Sequence, residues 1–579
     1  MLKPLCSCVV VSLVILSSGL TAAAGDPTLI LHRGRIATVD KDFRMVEALA
    51  VDGDRIVAVG TNADVLKLAG NTTRVVDLAG KFVSPGLIDS HVHPLAAALT
   101  EFDHPIPDMQ SIGDVLAYIR ARARVLPPGE WIEVHQVFIT RLQEQRYPTR
   151  QELDEAAPGH PVLFATGPDA ALNSLALKLS GIDRDFKPTG VGFVEKDPAT
   201  GEPTGVLRRL KRYVKAEASA TSPTDSDRQR RLAELLADYN SVGITAIGDR
   251  DADRGAVDVY RALLAAGKLT TRVAISQHVD TDGELEAIQK TIRSIAADPL
   301  TKDDPMLRIV GIKTYLDGGM LTGSAYLREP WGVSQIYGIS DPTYRGLLFI
   351  PRERLLPIVE ATVAAGLQFT AHSVGDGAVH TLLDVYEEVN RTTPLGDTRP
   401  CITHSNFMSR EAVEQAARLG VVLDIQPAWL YLDTRTLTAQ FGYERLRYFQ
   451  PLRTIFDAGV TAGGGSDHMQ KIGSLRSINP YNPFLGIWTT LARRAKGYEG
   501  QLHPEEALTR EEALRFYTIN NARVLRQEQR IGSLEVGKQA DFVVLDTDLL
   551  TCPLDEVREA KAVSTWLGGK QVWPLSKAE

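Results

Sequence analysis

Ser84-Pro85-Gly86-Leu87-Ile88-Asp89-Ser90-His91-Val92-His93-Pro94 is a short apolar run that ends in two histidines one residue apart. Side chains alternate faces along a strand, so His91 and His93 point the same way at the strand's end. Two imidazoles on one face make half of a metal site. Four later segments read as short apolar strands that end in a metal-capable residue: 309–313 ending at Lys313, 367–372 at His372, 401–404 at His404 and 460–467 at Asp467. Between them lie helical patterns. Residues 376–390 carry Val379, Leu382, Leu383 and Tyr386 on one face, and Ser409 opens a second helix with Ala412, Val413 and Ala416. Alternation of strand and helix predicts a parallel sheet with crossovers. Residues 243–247, 272–275 and 421–425 supply three further strands, which brings the count to eight. The expected fold class is therefore α/β, a (β/α)8 TIM-type barrel. Active sites of such barrels lie at the C-terminal ends of the strands, where every candidate ligand here falls.

The bulk properties fit a barrel with additions. The chain has 579 residues, 44% hydrophobic and 23% charged, with a net charge of -8. That charge, without a basic cluster, argues against a nucleic-acid partner. Residues 1–24 read as a signal peptide: Lys3 is basic, 9–20 is mostly apolar, and Ala22-Ala23-Ala24 offers a cleavage site. The apolar part is short for a membrane span. The mature chain is therefore expected to be periplasmic or secreted, with no stable span after cleavage. An uncleaved anchor is the rival reading. Cys6 and Cys8 precede the apolar core, against a lipoprotein signal, and only Cys401 and Cys552 remain afterwards. Residues 25–86 and 526–579 both read as short strands and turns, with a hairpin signal at Asp52-Gly53-Asp54. They are expected to form one composite β-sandwich built from the two chain ends, flanking a barrel over 87–525. An insertion after the first barrel strand, about 95–238, is too long for a βα loop and is expected to cover the barrel mouth. It contains a helix near 112–125, a strand near 131–134, and a Pro/Gly-rich stretch from 188 to 205.

The chain resembles the amidohydrolase superfamily of metal-dependent hydrolases, and within it the amidohydrolase 3 branch that includes N-substituted formamide deformylase. The likeness runs from about Thr28 to Gln571. It rests on the quoted histidine run, Tyr147-Pro148-Thr149-Arg150 with Leu153-Asp154, and Gly201-Glu202-Pro203-Thr204-Gly205-Val206-Leu207. It continues through Gly311-Ile312-Lys313 with Asp317-Gly318-Gly319, His372-Ser373-Val374-Gly375-Asp376, Gly465-Ser466-Asp467, and the closing segment 532–546.

This resemblance implies that His91, His93 and Asp467 bind a more buried metal and that His372 and His404 hold a second. Imidazole and carboxylate donors suit zinc, and one or two divalent ions per chain are expected. It further implies that Lys313 reacts with CO2 and bridges both metals as an N-carboxylated lysine; an ordinary ammonium cannot ligate. A bound metal brings the pKa of water to about 7 and so supplies hydroxide. Asp467 is then the catalytic base, taking the nucleophile's proton and handing it to the leaving nitrogen. The expected reaction is hydrolysis of an amide or formamide C–N bond in a small molecule. Ester or lactone hydrolysis, deamination, and a catalytically silent binding or regulatory relative are the alternatives. Deaminases of the superfamily carry a glutamate shortly after the fifth-strand histidine, whereas Ser373-Val374-Gly375-Asp376-Gly377-Ala378 contains none.

In Gly167-Pro168-Asp169-Ala170-Ala171-Leu172-Asn173-Ser174, Pro168 stands where the branch usually has histidine, with Asp169 as a candidate stand-in. His278, Asn406 and Trp429 are the substrate-contact candidates. His468 is expected to point away from the metals or line the rim, and a homodimer follows only from family habit.

Overall fold

The computed structural model describes residues 26–574 apart from 136, 168, 217–221 and 303. The expected signal peptide and Pro168 lie outside the described residues.

Eight parallel strands form one sheet in sequence order: β1 (Leu87–Val92), β2 (Ile244–Ala252), β3 (Arg272–His278), β4 (Leu307–Tyr315), β5 (Gln368–Ser373), β6 (Cys401–His404), β7 (Val422–Ile425) and β8 (Ala462–Gly464). The segment after β8 returns to β1. Ser466 N–H donates to Asp89 Oδ1 at 3.0 Å, Asp467 N–H to the His91 carbonyl at 2.8 Å, and His93 N–H to the His468 carbonyl at 2.8 Å. Gly465 makes that approach possible, because a Cβ there would sit 2.8 Å from His91 Cβ. The helices Asp376–Asn390 and Arg410–Leu419 lie where the apolar spacing places them, and Ser409 caps the second by accepting from Ala412 N–H.

Three strands run longer than their sequence pattern. β2 continues past 247 through Gly248-Asp249-Arg250-Asp251, β3 reaches His278, and β4 runs from Leu307 to Tyr315. Charge hides the end of β2. Yet Arg250 is fully buried inside the barrel, where its guanidinium donates to Ser90 O (3.1 Å), Ser276 Oγ (2.9 Å) and Gln368 Oε1 (2.9 Å).

The two chain ends share one sheet. Phe82–Pro85 pairs antiparallel with Phe542–Leu545, with Phe542 opposite Pro85. This six-stranded sheet and a four-stranded sheet built from Leu29–His32, Ala48–Asp52, Arg55–Gly60 and Arg74–Asp77 enclose a common core that includes Leu31, Val51, Val83, Phe542 and Trp566. Arg272 at the start of β3 ties the barrel to this unit through a buried ion pair with Asp541 at 2.6 Å.

After β1 the chain builds a five-stranded sheet that includes Ile132–His135, Val162–Thr166 and Asp169–Leu172. The Pro/Gly-rich stretch is more ordered than its composition suggests. Phe193–Lys196 and Pro203–Arg208 pair as an antiparallel hairpin, with Pro198 and Gly201 in its turn, Pro203 at a strand start and Gly205 inside the strand, where a Cβ would sit 2.6 Å from the Leu172 carbonyl oxygen. The helix Ile112–Ala123 starts at a capping box between Ser111 and Asp114.

Near the barrel's close, Glu512 accepts two hydrogen bonds from Arg453 (2.6 and 2.7 Å) and caps Thr509 N–H at 2.8 Å. The Arg453 hydrogen bonds, against some burial, draw its carboxyl down from 4.5 to about 2. A depressed carboxyl stabilises the fold above its unfolded pKa and loses that contribution as pH falls. Glu512→Gln is therefore expected to lower stability by about 1 kcal/mol at neutral pH. Denaturant titrations should show the difference closing as pH drops from 4.5 towards 2; a pH-independent difference would refute the assignment.

Candidate metal centre

A cavity of about 440 Å³ opens at the C-terminal end of the barrel. His91, His93, Lys313, His372, His404 and Asp467 all line it. The tightest group is His91, His93 and Asp467, whose donor atoms lie within 4.8 Å of one another. His91 Nε2 is 3.2 Å from His93 Nε2, and Asp467 Oδ1 is 3.1 Å from His93 Nε2 and 3.4 Å from His91 Nε2. His404 and His372 stand beside this group, with ring centroids 4.4 Å apart, and the His404 ring is 5.0 Å from that of His91.

Neighbouring side chains set which nitrogen of His91 and of His404 is free. Asp424 on β7 lies 3.1 Å from His91 Nδ1, so that nitrogen donates and leaves the Nε2 lone pair facing Asp467. Asp424 also accepts from Ser90 Oγ (2.7 Å) and Gln426 Nε2 (3.0 Å), with Arg250 Nε 3.5 Å away. Gln426 Oε1 accepts from His404 Nδ1 at 2.7 Å, and the Gly318 carbonyl lies 3.4 Å from His372 Nε2. Burial keeps these rings neutral: it pushes His91 and His404 well below their ordinary pKa and His372 down to about 3. Burial works against charge on His93 too, but the Asp467 carboxylate beside it outweighs this and leaves it raised. A proton-free nitrogen and a carboxylate oxygen thus converge in a largely buried pocket, an arrangement of acceptors that a cation satisfies.

Lys313 is 1% exposed, and among the described residues its Nζ has no hydrogen-bond or carboxylate partner. It lies over the Tyr315 ring, 5.0 Å from the centroid. Burial draws its amine below the ordinary lysine range, although Asp251, Asp467 and Asp424 pull the other way.

The substrate-contact candidates separate. Trp429 lines the cavity. His278 does not: it is exposed at the cavity rim and its Nδ1 meets Asp251 at 2.7 Å, while Tyr315 hydroxyl donates to the other Asp251 oxygen at 2.7 Å. Asn406 is fully buried behind β6, and its side chain lies outside the cavity wall. Asp169 does not take a histidine's place in the pocket; it turns to Arg208 (3.5 Å) and accepts from Arg209 N–H at 2.8 Å. His468 points away from the ligands, between Tyr239 hydroxyl (2.7 Å) and the Lys471 carbonyl (2.7 Å). The insertion does reach the pocket, through Phe138, Thr166 and Gly167.

The Amidohydrolase family model (Amidohydro_3) matches residues 74–573. The chain belongs to the amidohydrolase family. N-substituted formamide deformylase of Arthrobacter pascens is 30% identical over 93% of this chain and 97% of its own. Putative amidohydrolase YtcJ of Bacillus subtilis is 25% identical over 94% and 99%. An uncharacterized metal-dependent hydrolase from Pyrococcus furiosus superposes with a TM-score of 0.65 at 23% identity, covering 90% of this chain and all of that one. That likeness shows that the two chains share a fold.

Asp424 and Gln426 escaped the sequence pattern, although their signal was present. In Val421-Val422-Leu423-Asp424-Ile425-Gln426 two polar residues interrupt a strand that is otherwise all apolar, as buried parallel strands are. Replacing Asp424 with Asn removes the charge and turns one of its two accepting oxygens into a donor, so Ser90, Gln426 and His91 can no longer all be satisfied, and it leaves the Arg250 charge uncompensated. Asp424→Asn is expected to weaken metal binding by about 10–100-fold, measured by competition with a chelator. Affinity within a factor of two of the parent would show that His91 is oriented by other means.

Proposed function

We propose that this amidohydrolase is an exported hydrolase that cleaves an amide or formamide C–N bond in a small molecule. The observation that carries it is the convergence of His91 Nε2, His93 Nε2 and Asp467 Oδ1 at 3.1–3.4 Å in a largely apolar cavity. The same residues fit a divalent cation, with zinc the best match to imidazole and carboxylate, and His372, His404 and Lys313 would hold a second. Such a cation supplies an activated water and polarises a carbonyl. Lys313 would take part as its carbamate, its amine adding to CO2 with release of a proton; a buried amine without a protein partner is suited to that.

The chain's own groups do the rest. Asp467 accepts the proton of the attacking water through Oδ1 and delivers it to the departing nitrogen, so that the acid and the amine leave separately. Trp429, Phe138, Leu95 and Leu99 shield the pocket from bulk water. Deamination is disfavoured because the first carboxylate after His372, Asp376, accepts from Arg328 N–H at 2.9 Å and does not line the cavity. The named activity of the Arthrobacter pascens relative supports formamides as first substrates. Export rests on residues 1–24; among the described residues no helix is long and apolar enough to cross a membrane.

The test is a panel of N-formyl and N-acetyl amines with matched esters and aminopyrimidines, assayed for amine, acid and ammonia with zinc-loaded protein. Release of free amine from amides at rates above those for esters is expected. Ammonia as the main product would replace hydrolysis with deamination.

A further inference from the structure

The cavity wall carries several charged side chains; setting aside Lys313, whose role is proposed above, all but one have partners within the protein among the described residues. Asp249 accepts from Tyr260 hydroxyl at 3.0 Å. Asp251 is held by His278 and Tyr315, Asp253 caps a helix through Ala256 N–H at 2.7 Å, and Asp317 accepts from the backbone N–H groups of Tyr326, Val374 and Gly375, each at 2.9 Å. Arg228 is the exception. It lines the same cavity from the helix Asp225–Ser241 and is partly buried. Among the described residues its guanidinium has no carboxylate, carbonyl or hydroxyl partner. Its helix neighbours differ: Arg230 pairs with Asp227 and Glu234, and Arg231 with Glu234 and the Ala98 carbonyl. Half-buried guanidinium groups are costly to leave without an acceptor, and their fork geometry matches a carboxylate.

Arg228 shares the cavity with carbon surface from Leu95, Leu99 and Trp429 and with the metal-binding set. We infer that Arg228 receives a carboxylate of the substrate, which makes that substrate an anionic amide: one whose amine or acyl half carries a carboxylate beyond the scissile bond. This rests on the hydrolase reading above and narrows its substrate class. The three aspartates of β2 and its following loop do not oppose an anion as free charges, because each already has donors. Were they instead the recognition element, a cationic amide would be preferred.

The test compares N-formylphenylalanine with N-formylphenethylamine, which lacks only the carboxylate, in the parent, Arg228→Met and Arg228→Lys proteins. In the parent, kcat/KM should favour the anionic member. Arg228→Met should reduce that preference by roughly 10- to 100-fold, the effect of one charge-assisted hydrogen-bond pair, and Arg228→Lys should restore part of it. Calorimetric binding of 3-phenylpropanoate to metal-stripped protein gives a second readout, in which no metal can capture the anion. Arg228→Met should weaken that binding at least ~10-fold. An unchanged preference in Arg228→Met, or a parent that favours the neutral amide, overturns the inference and leaves the hydrolase reading standing. Loss of 3-phenylpropanoate binding in Arg228→Met from a protein that cleaves neither formamide supports the anion site and overturns the activity instead.

Discussion

Asp467→Asn is expected to lower kcat for any amide the protein cleaves by about 10³-fold while leaving the fold intact. The backbone explains why this substitution is clean. Asp467 sits at φ 56, in the left-handed region that Asn tolerates best among residues with a side chain of this size. Its main-chain anchors do not depend on the carboxylate: its N–H donates to the His91 carbonyl at 2.8 Å, and its own carbonyl accepts from Asn479 Nδ2 at 2.9 Å. Asn keeps an oxygen near His91 and His93 but loses both the charge that favours a cation and the capacity to take a proton. Turnover should collapse because no other carboxylate stands within reach of both imidazoles in the described residues. Steady-state kinetics, with thermal melting and metal content on the same samples, check this. A melting temperature close to the parent's together with activity within tenfold would remove Asp467 from the proton-transfer role.

How much of this centre shows in the sequence depends on what surrounds each residue. His91 and His93 are legible because a period-two repeat at the end of an apolar run has one geometric meaning. His372 and His404 are legible because barrel strands are short, apolar and bounded, so a histidine at the end of each stands out. The supporting layer is harder to read. Asp424, Gln426 and Asp251 act on ligands and pocket residues distant in the chain, and only the closed barrel brings β7 against β1. His278 and Asn406 show the reverse failure. Being next in line after a strand does not fix where a side chain points, and His278 serves Asp251 at the rim while Asn406 is buried behind β6. The hairpin at 193–208 is hidden by its glycines and prolines, which fall in its turn, at a strand start and, as Gly205, inside a strand that packs closely on its neighbour. Arg228 left no signal at all: on its amphipathic helix it reads like Arg230 and Arg231, and only three-dimensional accounting of partners sets it apart.

Lys313→Ala should change the metal stoichiometry as well as the rate. Lys313 lies between the two candidate ligand pairs in chain order, on β4, and faces the cavity that holds both. An amine in that position gives a neutral barrel no reason to keep it. It is 1% exposed, without a hydrogen-bond partner among the described residues, and burial lowers its affinity for a proton. Lysine held this way costs stability unless its nitrogen is put to use. As a carbamate it becomes an anion with two oxygens, the donor that His372 and His404 otherwise lack, since the carboxylate nearby, Asp317 at 3.8 Å from His372 Nε2, is engaged by three backbone N–H groups. Protein expressed with added zinc and bicarbonate is therefore expected to carry about two ions per chain, and Lys313→Ala about one, retained by His91, His93 and Asp467. Activity should fall by ~100-fold or more, as for loss of a metal's contribution to polarising the carbonyl. Intact mass under non-acidic conditions should show the parent heavier by one CO2 and the variant not. His91→Ala provides the contrast, because removing it dismantles the site that Asp467 closes and should empty that site instead. Two ions retained in Lys313→Ala, with activity near that of the parent, would show that Lys313 is a buried structural cation and that the second site is built from the histidines alone. One ion in both parent and variant would make the centre mononuclear and return the fifth- and sixth-strand histidines to the same metal as His91.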